Sequence, residues 1–155
     1  MSRDEIKQSI DDFIVLVEKG CGSIQNNETN LKLLLDRLAM AQHFAAYKFD
    51  EGKYAEAPSR AHDELRKRVA TRFPNYGYYN LVEDVSQKIG ESGLMVGDAI
   101  DDIVDITADL LETKWCWEKN SVEDGLWHFK NTFETHWANH LRGLQMYLLN
   151  FDRGA

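Results

Sequence analysis

Cysteine and proline are scarce in this chain, and a long apolar run is missing altogether. The 155 residues include two cysteines, Cys21 and Cys116, and two prolines, Pro58 and Pro74. Two isolated thiols without a CxxC spacing give no sign of metal or redox use, and they fit a reducing compartment. No stretch approaches the length of a membrane span, and Met1-Ser2-Arg3-Asp4-Glu5 puts charges where a signal peptide needs an apolar core. A cytoplasmic protein with no membrane association is expected. A phosphate-binding glycine-rich loop, a nucleophile elbow and a Cys–His pairing close in sequence are also lacking, which weakens the case for an enzyme.

Positive charge is in short supply too. The net charge is -8, with a pI near 5.1, so the surface repels phosphate backbones and nucleic acid is not expected as a partner. With 43% hydrophobic and 28% charged residues the composition is ordinary for a globular protein, and the length suits a single domain spanning 1–155.

What is present is helical periodicity. Ile6, Ile10, Phe13, Ile14 and Val17 mark a first helix stopped by Gly20 and Gly22. Leu31, Leu34, Leu35, Leu38, Ala41 and Ala45 mark a second, with Thr29 or Asn30 as its cap. Pro58-Ser59 opens a third, with Ala61, Leu65, Val69 and Phe73 inside and Arg60, Arg66, Lys67, Arg68 and Arg72 making it basic; Pro74 ends it. The stretch from Phe73 to Gly97 reads as a connector with one short helical piece. Asp98 caps a fourth helix whose apolar side carries Ile100, Ile103, Thr107, Leu110, Leu111 and Trp117. Ser121 and Asp124 open a fifth with the stripe Leu126, Phe129, Phe133, Trp137, Leu141, Leu144 and Leu148. No run alternates with period two. The expected fold is all-α, an antiparallel, up-and-down-like bundle of about five helices.

One constellation could carry chemistry. His136 and His140 lie four apart on the fifth helix, so both imidazoles project from one face. The fourth helix gathers Asp98, Asp101, Asp102, Asp105, Asp109 and Glu112 on one arc. Two imidazoles and one or two of Asp101, Asp102, Asp105, Asp109 or Glu134 make a divalent-metal ligand set. The plainer alternative carries more weight: a buried His140 satisfied by a carboxylate or carbonyl, and a solvated acidic face balanced by the basic third helix. Trp137 stands where a zinc protease needs glutamate, and Glu134-Thr135-His136 lacks the Glu-x-x-His spacing of di-iron bundles. His128 pairs with Asp124 at helical spacing and reads as an exposed histidine. Trp115 and Trp127 fall off the centres of their stripes and are candidate interface anchors.

The segments Phe73-Pro74-Asn75-Tyr76-Gly77-Tyr78-Tyr79, Asp101-Asp102-Ile103-Val104-Asp105-Ile106-Thr107-Ala108-Asp109-Leu110 and Phe133-Glu134-Thr135-His136-Trp137-Ala138-Asn139-His140 resemble, in this order, a family of small bacterial proteins known as domain of unknown function 5063. The likeness covers nearly the whole chain, with Ala138 where a glycine is usual. It implies a bacterial cytosolic helical domain and no known activity, so it assigns no residue a role. The residues themselves point to a protein-interaction or accessory module, acting through a protein partner or as a homo-oligomer with Trp115 and Trp127 at the contact. The alternative is a divalent-metal-binding bundle, with metal-dependent hydrolysis as one use, built from His136, His140, Asp102, Asp105 and Asp109.

Overall fold

The computed structural model describes residues 1–59 and 61–154; Arg60 lies outside the described residues. Helix accounts for 67% of the chain in five stretches. These are α1 (Arg3–Lys19), α2 (Ile24–Phe44), α3 (His62–Arg72), α4 (Ala99–Lys119), and a final stretch made of α5 (Val122–Thr132), a π-helical turn (Phe133–Trp137) and α6 (Ala138–Gly154). Local chemistry sets most of the starts. Ser2 and Glu5 form a reciprocal capping box at α1, Asp98 accepts the Ile100 and Asp101 amides at α4, and Ser121 accepts the Asp124 amide at α5. Two starts differ from expectation. Ser23, which accepts the Asn26 amide, caps α2 ahead of Thr29 and Asn30. Pro58-Ser59 stay irregular, so α3 begins only at His62 and Ala61 is exposed.

The apolar stripes meet as their spacing predicts. Ile6, Ile10, Phe13, Ile14 and Val17 of α1, Leu31, Leu35 and Leu38 of α2, and Leu126 through Leu148 of the last stretch share one core. Helix α4 is its hub, packing on α1, α3, α5 and α6. It therefore buries Val104 and Ile106 as well as Ile103 and Leu110, and it even draws Asp102 out of water.

The fold is not strictly all-α. Where a helical connector is expected, strand β1 (Tyr78–Val82) pairs antiparallel with β2 (Leu94–Asp98), Tyr79 facing Gly97. The period-two signal is hidden because the hairpin is apolar on both faces. Tyr79 and Leu81 turn inward, while Tyr78, Val82, Leu94 and Val96 stay exposed on the other side. Gly143 of α6 makes room for the inner face, since a Cβ there would lie 2.8 Å from the Tyr79 hydroxyl.

The fifth stretch is not one uniform helix. Phe129, Phe133, Trp137 and Leu141 follow one another at steps of four, and on a regular helix such a row drifts about 40° per step. The wider π turn, closed by the Ala138 amide on the Phe133 carbonyl, cancels the drift and keeps all four buried. The Trp137 indole N–H donates to Thr132 Oγ1 at 3.1 Å across this turn.

Gly125 sets the approach of α5 to α4: a Cβ there would meet Trp117 Cα at 2.7 Å. Gly125→Ala gains up to about 1 kcal/mol of helix propensity but forces the two helices apart. The expected net result is a loss of about 1–2 kcal/mol, read from the urea midpoint. An unchanged midpoint would show that the helices need no such closeness.

Candidate metal site

Helix α4 and the α5–α6 stretch run antiparallel after a tight turn at Asn120-Ser121, so residues late in one face residues early in the other. This register brings the acidic arc of α4 against the histidines. His136 Nδ1 lies 2.6 Å from Asp109 Oδ2, and His140 Nδ1 lies 2.8 Å from Asp102 Oδ1. His140 Nε2 lies 3.3 Å from Asp105 Oδ2, and His62 Nε2 of α3 approaches the other oxygen of Asp105 at 3.5 Å. The two rings of His136 and His140 sit edge to face with centroids 5.0 Å apart. One ligating atom each from Asp105, His136 and His140 falls within a span of 4.8 Å.

The acidic arc is therefore partly a buried face, which corrects the expectation of a solvated one. Asp102 is buried, and Asp105 and Asp109 are half-buried. Its outer members are balanced as the basic third helix predicts, with Arg66 2.8 Å from Asp98 and 3.4 Å from Asp101. Asp101 thus faces α3, away from the histidines. Glu134 is exposed, paired with Lys130, and stands apart from the cluster. His140 is half-buried where a core position is expected, and His136 is exposed. The π turn is the reason: it holds the row of Trp137 and Leu141 on the core and the row of His136 and His140 beside it, facing α4. A π turn in a helix is frequently found at a functional site.

Tyr79 belongs to the cluster and is invisible in a helical reading of its segment. Its hydroxyl donates to Asp102, and its ring lies over Gly97, where a Cβ would collide with it. Gly97 and Gly143 form a slot through which the side chain reaches α4. Burial, together with Asp102, raises the Tyr79 pKa, so the phenol stays a donor. The aromatic and β-branched character of the Tyr78-Tyr79-Asn80-Leu81-Val82 run was the one signal that could have exposed it. His62, at the start of α3, carries no signal in sequence.

Carboxylates accept hydrogen bonds, so Nδ1 of each ring carries the proton facing Asp109 or Asp102. The atom that each ring has left to offer is Nε2. Without a cation, His140 can hold a second proton on Nε2 toward Asp105. The Asp102 hydrogen bond, opposed by burial and aided by the charge of Asp105, raises its pKa above the ordinary imidazole value. Burial raises the Asp109 carboxyl as well, with His136 acting against it.

A second grouping lies nearer the turn, where Cys116, Asp124 and His128 each place one ligating atom within 4.8 Å of the others. They line a cleft of about 630 Å³ walled by the irregular segment between Gly52 and Ser59. His128 is half-buried here, not exposed as its pairing suggests. Burial pushes the Cys116 thiol up to about 12. Trp115 and Trp127 are each half-buried.

These features define a mostly helical domain with a β-hairpin at one end and a histidine–carboxylate cluster between its last two long helical stretches. The chain belongs to the family described as Domain of unknown function (DUF5063), whose model matches residues 3–150. It shares its fold with the crystal structure of protein BF1032 from Bacteroides fragilis, at 14% identity and a TM-score of 0.75, over 96% of this chain and 90% of that one. No curated protein matches the chain. Among the described residues no helix is long and apolar enough to cross a membrane.

The raised pKa of His140 gives metal-free protein a signed pH dependence. A group whose folded pKa lies above its unfolded value of about 6.5 stabilises fully below that value, and the contribution is lost as pH rises through the folded pKa. The stability gap between wild type and His140→Gln should therefore shrink as pH rises from about 6 upward, measured as urea midpoints in the presence of a chelator. A gap that widens with pH would contradict the assigned contact with Asp102.

Proposed function

We propose that this protein binds a divalent transition-metal ion through Asp105, His136 and His140, with Asp102 and Asp109 orienting the two imidazoles. The observation that carries this reading is the use of Nδ1. A metal-binding histidine almost always gives its other ring nitrogen to a carboxylate, carbonyl or water, which fixes the ring and raises its basicity. Here both histidines give Nδ1 to an aspartate, and Tyr79 in turn holds Asp102. A core network that satisfied only buried atoms would not explain this attention to His136, whose side chain is 47% exposed. The ion takes the place of the His140 Nε2 proton beside Asp105.

Two imidazoles and one carboxylate suit zinc, iron(II), manganese(II) or nickel(II) better than calcium or magnesium, which favour all-oxygen sites. His62 faces the other oxygen of Asp105, outside the grouped ligand atoms. Coordination positions open toward solvent suit a bound water, so hydrolysis is the activity to assay once an ion is found. Calorimetric titration of untagged, chelator-treated protein should show one ion lost in the double variant His136→Ala/His140→Ala, with the helical circular dichroism retained. Asp102→Asn should weaken binding about 10–100-fold without abolishing it. An unchanged stoichiometry and affinity in the double variant, or no binding at this cluster by wild type, would sink the reading and leave a structural ion-pair network.

Self-association is a second reading, favoured by the outer face of the β-hairpin. Tyr78 is 73% exposed, Leu94 71% and Val96 75%, and Val85 and Ile89 extend the apolar surface into the connecting loop. Such a face is larger than the single apolar residues scattered on any monomer. The strand residues of this face are uncharged apart from Asp98, which Arg66 holds, so a second copy of this chain is the proposed occupant. Val96→Glu should convert a dimer to a monomer in sedimentation velocity; a wild type that stays monomeric at high concentration would rule this out.

A further inference from the structure

We infer that Cys116, Asp124 and His128 form a second metal site, separate from the first and selective for a thiophilic ion such as zinc. Two helices present the donors in matched pairs. Helix α4 carries Glu112 and Cys116 four residues apart, and α5 carries Asp124 and His128 four residues apart, so each pair lies on one face, beside the close approach of Gly125 to Trp117. His128 Nε2 lies 3.8 Å from Asp124 Oδ1 and its Nδ1 lies 3.6 Å from Glu112 Oε1. The other oxygen of Asp124 is held at 2.8 Å by the Asn120 amide, which leaves Oδ1 facing the imidazole.

The arrangement repeats the logic of the first cluster. Glu112 lies 3.6 Å from Nδ1, Asp124 Oδ1 is 3.8 Å from Nε2, and one ligating atom each of Cys116, Asp124 and His128 falls within 4.8 Å of the others. Zinc–sulfur, zinc–nitrogen and zinc–oxygen bonds of about 2.0–2.3 Å need these atoms drawn together by roughly an ångström, within the reach of side-chain rotation. Charge argues the same way. The cleft above the group is lined by Glu56, Asp109, Glu112 and Asp124 and, among its described residues, by no Lys or Arg. Glu56 is exposed and Asp109 is held by His136, so the half-buried carboxylates that bear on the group are Glu112 and Asp124. Both face His128, and such carboxylates without a cation are costly.

The thiolate selects the ion. Sulfur ligation favours zinc or cobalt over magnesium, calcium or manganese, whereas the first cluster has no sulfur. Three protein ligands leave the fourth tetrahedral position toward the 630 Å³ cleft. A water molecule would complete it there. The sites lie eleven residues apart along α4, about 16 Å at 1.5 Å per residue, too far to share an ion.

Cobalt(II) titration tests this site apart from the first. In protein carrying His136→Ala and His140→Ala, cobalt should produce a near-ultraviolet thiolate-to-cobalt charge-transfer band together with visible bands of tetrahedral intensity, and zinc should displace both. Cys116→Ala should remove the charge-transfer band and His128→Gln should abolish binding, while Cys21→Ser should change neither. His128→Gln keeps the test decisive if Cys116→Ala fails to fold, because His128 is only half-buried. Glu112→Gln should weaken binding about 10–100-fold. No charge-transfer band in the His136→Ala/His140→Ala protein, or a band that survives in Cys116→Ala or His128→Gln, would overturn the assignment.

Discussion

Half-burying a row of carboxylates on the central helix is the constraint that organises this molecule. Helix α4 packs on four other helices, yet it carries Asp98, Asp102, Asp105, Asp109 and Glu112 along one side. Ionised carboxylates taken out of water need partners, or they give up their charge. Each is answered from another element of the fold. Arg66 of α3 serves Asp98, His62 and His140 flank Asp105, Tyr79 of β1 and His140 share Asp102, His136 meets Asp109, and His128 of α5 meets Glu112. The answering groups are mostly imidazoles. A histidine neutralises a carboxylate only when protonated, and the same nitrogen that holds the proton can hold a metal ion instead.

Backbone placement makes those partnerships reachable. Gly125 lets α5 lie against Trp117, so the turn end of the helical hairpin is tight. The π turn then corrects the phase of the remaining stretch, keeping Trp137 and Leu141 in the core and His136 and His140 in line toward α4. At the other end, Gly97 and Gly143 open the slot for Tyr79. Three glycines, each inside a regular helix or strand, and one π turn thus all serve contacts with the same helix. A glycine inside a helix or strand costs local stability relative to alanine, so side-chain position is favoured here over propensity.

Two donor groups come to lie along one helical seam with different chemistry. The outer one has two imidazoles and an aspartate at a half-exposed position. The inner one has a thiol, an imidazole and an aspartate beneath a cleft whose wall is the irregular segment from Gly52 to Ser59. That segment is tied to the turn between α4 and α5 through Asp50, which accepts from the Ser121 hydroxyl. The cleft therefore belongs to the framework that positions Asp124 and His128.

The apolar spacing by itself determined the helical stretches and most of the buried residues, because burial on a helix follows a 3.6-residue period; it missed Val104 and Ile106, which are buried because α4 has neighbours on several sides. It also brought His136, His140 and the α4 aspartates into view, since residues four apart share a face. It could not show the hairpin, whose two apolar faces erase the alternation on which a strand reading depends, nor the π turn, which a row spaced by fours only hints at. Nor could it separate Asp102, Asp105 and Asp109, which face the histidines, from Asp101, which faces Arg66. Cys116 and His128 looked like an isolated thiol and a surface histidine. Only tertiary packing joined them, because their distance depends on how closely two helices approach at Gly125, and that closeness is a property of both helices together.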